Sequence, residues 1–442
     1  MPWPTDEVVL KNGAAFRGLV LADTPAGLEF KVVRRQPGRP TVTLTTLFLK
    51  AEVDHVRRLP AADREVLREK LAELDEAGST ERLRMDTLTV TSTDWLGKPG
   101  AARRYASDQF VLVSAAPEEV TRRAAVRLEQ LYAAFARVFP PRRPAERPTV
   151  VMLAGTPAEY AALVGPSAGR VVNPAVYLVA ENRVVCGSDL TRLGAEVEAA
   201  RQAHTDRLAQ IDRYEAEVRR LYKGQPNEID RFVRKAADQR RRVRDADRAN
   251  DRRFDAATDR LFAMLYHEAF HAYIGVFVYP PLPPAAVRAG RGVGELPRWL
   301  NEGLAQIFET AVVEAGELRV GHADPARLAK VRDRLAGKGE PLAPVADLLR
   351  AGRERFAPGY AGGVATAEQA YLTAWGVAMY LTFDRHRVGA AGFDDYLAAV
   401  NAGTDPVTAF EEWVGQPVSE FEKGFHDYLR RLRPDGTVGH AK

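Results

Sequence analysis

The chain has 442 residues, of which 46% are hydrophobic and 28% are charged, so it is long enough for two or three globular domains. Its net charge of +4 is too small by itself to indicate nucleic-acid binding. The single cysteine, Cys186, excludes an internal disulfide framework and a cysteine-rich zinc site, and we interpret it as a small buried residue.

Neither a signal peptide nor a membrane anchor is expected. Residues 1–10 lack a basic start and a long apolar core, and no run elsewhere is expected to reach transmembrane length. The sequence therefore predicts a soluble protein, cytoplasmic by default, or extracytoplasmic if a signal peptide was removed before this numbering.

The N-terminal region, residues 1–59, alternates between apolar and polar residues as β-strands do. Turn signals stand at Gly13 and Gly27, and a further strand pattern follows Pro40. We interpret this region as a small β-barrel of the SH3-like or Sm-like kind, which could hold a protein partner. Residues 60–82 follow as a linker with an amphipathic helix.

Residues 83–189 have a mixed pattern of strands and helices and are expected to form an α/β region. It ends in a β-hairpin at 174–188. Residues 190–260 differ, because apolar residues recur there at intervals of seven, as in a coiled-coil seam. The segment 223–228, KGQPNE, interrupts this pattern, so the sequence predicts a helical hairpin whose second arm runs on past residue 260.

One histidine, His204, falls on the predicted seam, and we interpret it as a packed residue and not as a metal ligand. The second arm, residues 231–253, is rich in arginine and raises the alternative of nucleic-acid binding. Aspartates such as Asp238 and Asp245 are interleaved at helical spacing, and aromatic stacking residues are lacking. A solvated, salt-bridged helix face is therefore the favoured interpretation, and no nucleic-acid partner is expected.

Three polar side chains interrupt the apolar run 261–277, namely His267, Glu268 and His271. Burial of such groups is costly unless each has a partner. On a helix, residues four apart lie on one face, so the two imidazoles can converge on one cation, for which zinc is the common choice. Glu268 is rotated off that axis and can reach a metal-bound water without binding the metal. The spacing H-E-x-x-H therefore predicts two zinc ligands and a general base.

A third protein ligand is expected, because a catalytic zinc usually has three and leaves the fourth position to water. Residues 296–309 have a helical apolar face, and Pro297 stands where the helix would begin. Glu302 is the candidate ligand on that helix, and Glu309 lies two turns further on the same side.

Together these two segments resemble the gluzincin metallopeptidases, in the aminopeptidase-N-like or peptidase MA-like branch. The match is H-E-x-x-H at 267–271 followed by W-L-N-E-G-x-A-x-x-x-E at 299–309. The resemblance implies that zinc is bound by His267, His271 and Glu302, and that Glu268 activates the water. It implies in addition that Glu309 and Asn301 steady the ligands, with Glu309 bonded to a ligand histidine.

The resemblance further implies an α+β fold with a thermolysin-like core, in which a small sheet lies beside a mainly helical lobe. The helical hairpin would be an insertion in that core, and the segment 174–188 would be the edge strand that binds the substrate backbone. Two features differ from the aminopeptidases: the Pro/Gly-rich segment 278–296, which is expected to be non-helical, and the lack of a Gly-x-Met-x-Asn segment. These differences favour an endopeptidase.

Residues 261–433 are predicted to form the zinc-binding helical domain, with only helices after residue 310 and a disordered tail at 434–442. In the resembling peptidases a downstream tyrosine stabilises the oxyanion, and Tyr371 matches its position. Tyr360 is the alternative, whereas Tyr380 is expected to be a core residue. Two further histidines of this part, His322 and His386, are expected at the surface.

The predicted function is hydrolysis of peptide bonds in a peptide or protein substrate by a zinc-activated water. The alternative is an inactive zinc-binding scaffold that holds partner proteins through the barrel or the hairpin. Glu268 argues against the scaffold, because a purely structural zinc site does not need this carboxylate.

Overall fold

The computed structural model describes residues 3–25, 27–35, 41–74, 79–145, 147–165, 174–187, 189–310, 312–314, 317–319, 323–356, 363–434 and 436–439. It shows a mixed α+β chain, so the predicted α+β class is confirmed. The chain divides into two compact units. The first comprises Met1–Leu83, Val126–Arg147 and Tyr266–Lys442, and the second comprises Arg84–Ala125 and Pro148–Leu265.

The first unit contains an antiparallel sheet of five strands, β1 Asp6–Leu10, β2 Ala15–Asp23, β3 Gly27–Arg34, β4 Val42–Leu49 and β5 Val53–Arg57. The strand order is β4-β3-β2-β1-β5. In the part of the chain that is described, β4 pairs only with β3 and β5 pairs only with β1, so the sheet stays open. The predicted closed barrel is therefore wrong, because closure requires the two edge strands to pair and local alternation does not determine this.

Both faces of this open sheet are covered by apolar side chains. One face buries Val8, Val20, Leu28, Phe30 and Phe48. On the other face, helix α1, Ala61–Glu73, packs Leu67 and Leu71 against Trp3, Leu19 and Val33. The fully buried carboxylate of Asp6 accepts hydrogen bonds from the backbone N–H groups of Val20 and Leu59, both at 2.8 Å. These bonds fasten the first strand to the start of the linker.

The second unit contains a mixed sheet of six strands, β6 Thr91–Trp95, β7 Lys98–Ala106, β8 Phe110–Ser114, β9 Thr149–Ala154, β10 Ala175–Leu178 and β11 Arg183–Gly187. Its order is β10-β11-β9-β8-β7-β6, and β9 is parallel to both of its neighbours. Three helices accompany it in the sequence, α2 Ser79–Thr87, α3 Glu118–Val138 and α4 Pro157–Val164. Strand β10 lies at a sheet edge, as the pattern at 174–188 predicts, and its role towards a substrate stays a prediction.

A helical hairpin follows, made of α5 Leu190–Leu221 and α6 Pro226–Tyr273. The chain turns between them at Gly224, whose φ of 94° is a left-handed conformation that glycine adopts without strain. Apolar seam residues at intervals of seven are buried, namely Val197, Ile211 and Val218. His204 lies on the same seam, and its Nδ1 is 2.5 Å from Asp247 Oδ1 on the opposite arm. It is thus paired with a carboxylate at the seam, as expected of a packed residue.

Several arginines of the α6 arm are paired with acidic residues. Within α6, Arg241 pairs with Asp238 and Arg248 pairs with Asp245, in each case three residues apart. Across the hairpin Arg240 pairs with carboxylates of α5. These pairs are the pattern expected of a solvated helix face, and the absence of a nucleic-acid partner stays a prediction.

The stretch Pro226–Val278 is the one helix in the described ranges that could cross a membrane by length and composition. Our expectation that no run would reach that length is therefore wrong for this stretch. Its apolar window is 67% buried within the structure, as in the core helix of a soluble protein.

The rest of the first unit is mainly helical. Its helices are α7 Pro284–Arg288, α8 Arg298–Glu309, α9 Pro325–Leu335, α10 Val345–Leu349, α11 Gly363–Met379, α12 Phe393–Ala402, α13 Pro406–Val414 and α14 Val418–Arg431. Shorter turns of helix occupy Ile274–Val278, Arg353–Phe356 and Tyr380–Asp384, and the second unit has one at Val179–Glu181.

Three predictions for this part need correction. The segment 278–296 contains α7 and is not wholly irregular, because a proline at the first helical position already has a helical φ and loses no hydrogen bond. The stretch after residue 310 is not all helical, since β12 Val312–Glu314 pairs with β13 Glu317–Arg319. At the predicted disordered tail, residues 436–439 form a turn joined to the end of α14 by a bridge between Leu432 and Val438.

Candidate metal centre

Two imidazoles meet on the last turns of α6. His267 and His271 are one helical turn apart, each 8% exposed, and their ring centroids are 4.7 Å apart. The neighbouring aromatic residues of the helix point into the core, where Phe270 packs against Phe135 of α3 and Phe308 of α8. The apolar face of α6 packs into the core. The polar residues that interrupt the apolar run lie on the remaining side of the helix.

Helix α8, which carries Glu302, packs closely on α11. A Cβ at Gly303 would overlap the carbonyl oxygen of Ala374 and lie 2.8 Å from the Cβ of Ala378. Only glycine permits this approach, so the position accounts for the Glu-Gly pair of the sequence motif. The residue before it, Glu302, is 1% exposed and faces the histidines.

Three ligand atoms converge on one point. The Nε2 atoms of the two histidines are 3.0 Å apart. Glu302 places Oε2 3.2 Å from His267 Nε2 and Oε1 3.5 Å from His271 Nε2. In the described part of the chain this is the group of histidine and acidic side chains that could hold a metal ion, with all ligand atoms within 4.8 Å of one another.

The contacts of the Nδ1 atoms determine whether the Nε2 atoms of the two histidines can bind a metal ion. His267 Nδ1 lies 2.6 Å from Glu309 Oε1, and His271 Nδ1 lies 2.9 Å from Asn301 Oδ1. Both oxygens are acceptors, so each Nδ1 carries the hydrogen and donates it. In the neutral rings the two Nε2 atoms then hold lone pairs directed at each other. The structure thus brings together the five residues that the sequence proposed as ligands or ligand partners.

A site of three acceptors needs a proton or a cation between them. Glu302 Oε2 is buried and faces His267 Nε2. Burial lowers the pKa of His267, but its contacts with Glu302 and Glu309 outweigh this and hold the pKa well above the usual range. Burial favours the neutral form of Glu302, yet the charges and hydrogen bonds of the two histidines hold its pKa well below the usual range. These residues fit a zinc ion, whose preferred protein ligands are imidazole nitrogen and carboxylate oxygen.

Two arginines that the sequence analysis did not single out complete the cluster. Arg327 on α9 lies 2.7 Å from Glu309 Oε2, so Glu309 links His267 to a cation. Arg298 on α8 forms an ion pair with Glu302 Oε1. The pair of Arg298 and Glu302 is compatible with the sequence spacing, since the residues are four apart on one helix. No sequence spacing links Arg327 to Glu309.

The two proposed catalytic side chains lie beside this cluster. Glu268 is half-buried on α6 next to His267. Tyr371 on α11 stacks edge-on against Phe356, and its carbonyl oxygen accepts a hydrogen bond of 3.0 Å from Gln306 Nε2 of α8. Burial raises the pKa of Tyr371 well above its usual range, and the negative charges of Glu302 and Glu268 add to this. The phenol is therefore a neutral hydrogen-bond donor at physiological pH.

The other candidate residues lie elsewhere or outside the description. Tyr380 is buried against Phe421 and Tyr428, which confirms it as a core residue. His386 is exposed, as predicted. Tyr360 and His322 fall outside the described residues.

Comparison with known proteins gives one match. Residues 287–392 are similar to a family described as a protein of unknown function, DUF1570. The matched range is about a quarter of the chain and includes Glu302, Glu309 and Tyr371, whereas the histidines of α6 precede it. Among curated proteins and among solved structures nothing matches the chain.

Proposed function

We propose that this protein is a zinc-dependent peptidase of the gluzincin type. The observation that carries the proposal is the convergence of two imidazole lone pairs and one buried carboxylate, with the further carboxylate of Glu268 beside the first histidine. His267, His271 and Glu302 would hold the ion. A thermolysin-like arrangement of the catalytic unit belongs to this proposal.

The chemistry needs a base that does not bind the metal. Zinc, when bound, activates a water molecule and polarises the carbonyl group of the scissile peptide bond. Glu268 accepts the proton of the attacking water and then delivers it to the leaving amine nitrogen, as a general base and general acid. A structural zinc site has no need for such a group, which favours the peptidase over an inactive scaffold.

Tyr371 is proposed as the donor that stabilises the oxyanion. Negative charge develops on the carbonyl oxygen as water attacks, and a positioned O–H donor lowers the energy of that state. The raised pKa keeps the phenol protonated, so it can donate throughout the reaction. Its carbonyl oxygen accepts a hydrogen bond from Gln306 of the helix that carries Glu302, so the main chain at Tyr371 is tied to that helix.

Zinc analysis and a peptide digest test the proposal. The purified protein should hold about one zinc ion per chain and cleave peptides internally, including N-acetylated ones. Glu268→Gln should keep the zinc and lose hydrolysis by about a hundredfold or more, because an amide cannot accept the proton. Glu420→Gln, an exposed residue of α14, is the matched control and should behave as the wild type.

Three results would contradict the proposal or part of it. Equal hydrolysis by the wild type and by Glu268→Gln would point to a contaminating protease. Loss of zinc in Glu268→Gln would make this residue a ligand and remove the base from the mechanism. Release of single N-terminal residues alone, with no cleavage of N-acetylated peptides, would replace the endopeptidase by an aminopeptidase.

A further inference from the structure

Each of the three proposed ligands contacts one further side chain that orients it. The three residues that make these contacts all lie on α8. Glu309 contacts the outer nitrogen of His267, and Asn301 contacts that of His271. The third of these residues is Arg298, which pairs with Oε1 of Glu302. The resemblance to gluzincins accounts for the first two residues and provides no counterpart for the third.

The geometry of Arg298 separates the two oxygens of Glu302. Arg298 stands four residues before Glu302, so both side chains lie on one face of α8. Its guanidinium pairs with Oε1, whereas Oε2 is buried and lies 3.2 Å from His267 Nε2. One oxygen is therefore engaged by an arginine, and the other faces the ring nitrogen of His267 that would bind the metal. The Arg298 side chain is 34% exposed, so it joins the buried carboxylate to the protein surface.

We propose that Arg298 is a positioning residue that makes Glu302 a one-oxygen ligand. The inference rests on the proposed zinc centre and adds a residue to it. A free carboxylate can bind a cation through one oxygen or through both. With Oε1 held by a permanently charged guanidinium, Glu302 presents Oε2 alone, and a coordination position stays open for water and substrate.

The same pairing orients the ligand before the metal arrives. A charge-assisted pair limits the rotation of the carboxylate, so less freedom is lost when the ion binds. Groups that hold ligands in this way typically change metal affinity by about 10- to 100-fold when they are removed. Loss of Arg298 should therefore weaken zinc binding although Arg298 and zinc are both positive.

The experiment compares Arg298→Met and Arg298→Lys with the wild type. Zinc affinity is measured by competition with a chelator, and the visible absorption of the cobalt(II) form reports the number of ligands. Arg298→Met should bind zinc about 10- to 100-fold more weakly, with weaker cobalt absorption as Glu302 adds its second oxygen. Arg298→Lys keeps the charge without the planar fork and should recover part of the affinity.

A matched control is Arg219→Met, which removes another Arg–Glu pair spaced by four residues, on α5. It should bind zinc and cobalt as the wild type does. Far-ultraviolet circular dichroism of each variant separates a local effect from unfolding.

The inference is overturned if Arg298→Met has the zinc affinity and the cobalt spectrum of the wild type. It is equally overturned if metal binding is unchanged and only peptide hydrolysis falls, which would assign Arg298 to the substrate. A wild type that binds zinc but cleaves no peptide would refute the proposed function and leave the metal measurements valid. A wild type that binds no zinc would refute the centre itself, and this is measured before any variant.

Discussion

Two histidine–carboxylate pairs, one in the hairpin and one in the metal centre, have almost the same geometry and different surroundings. In the hairpin, His204 Nδ1 lies 2.5 Å from Asp247, and the two side chains are 23% and 35% exposed. In the centre, His267 Nδ1 lies 2.6 Å from Glu309, and both side chains are 10% exposed. The pair alone therefore does not identify a metal ligand.

What differs is the group that faces the other ring nitrogen. His267 Nε2 meets a second imidazole nitrogen and a buried carboxylate oxygen. His204 belongs to no group of three metal-binding side chains in the part of the chain that the structure describes. Convergence of several acceptors, together with burial, distinguishes a candidate metal centre from a structural ion pair.

The largest effect expected from this comparison concerns a ligand. His271→Ala removes one of three ligand atoms and should lower zinc affinity on the order of a thousandfold, because each ligand carries a large share of the binding free energy. His204→Ala should leave zinc content unchanged. Chelator competition on both variants measures the difference, and full zinc occupancy in His271→Ala would refute the ligand assignment.

A smaller effect is expected for two tyrosines, Tyr371 on α11 and Tyr380 directly after it, of which only Tyr371 is proposed to act on the substrate. Tyr371→Phe should lower kcat about a hundredfold with KM and zinc content nearly unchanged, because loss of one transition-state donor costs roughly 3 kcal/mol. Tyr380→Phe removes the same hydroxyl from the core and should keep the wild-type kcat. Steady-state kinetics decide the matter, and an unaltered kcat in Tyr371→Phe would remove this residue from the mechanism.

The smallest effect concerns the carboxylate partners of the two histidines. Glu309→Gln should weaken zinc binding by about tenfold, because the amide interacts less strongly with the ring N–H and no longer pairs ionically with Arg327. Asp247→Asn, the equivalent change in the hairpin, should not alter zinc affinity. If both variants bound zinc alike, the contact between Glu309 and His267 would have no role in the centre.

The candidate site could be predicted from the sequence where its geometry is local. His267 and His271 are joined by one helical turn, and Glu302, Asn301 and Glu309 lie within a motif of eleven residues. Arg327 could not be found in this way, because its contact with Glu309 depends on how α9 packs on α8. The spacing of four residues between Arg298 and Glu302 allows an ion pair on one helix face. The motif already accounts for Glu302 without it, so the sequence does not point to Arg298.

The fold shows the same limit. The long arms of the hairpin follow from a repeat of seven and from one break, both of which are local. Closure of the N-terminal sheet depends on whether β4 meets β5, and alternation within each strand is the same in both cases. Helix α7 does not follow from the Pro/Gly-rich composition of 278–296, because proline disfavours the interior of a helix, whereas Pro284 at the first turn favours helix.

Because Gly303 has no side chain, it affects how constant the geometry around the metal centre stays. Because the backbones of α8 and α11 approach closely there, the distance between the helices that carry Glu302 and Tyr371 is set largely by main-chain atoms. Main-chain atoms in packed helices fluctuate less than long side chains do. The distance between these two helices therefore does not depend on a side-chain rotamer at the contact. Thermal motion of neighbouring side chains should change it little.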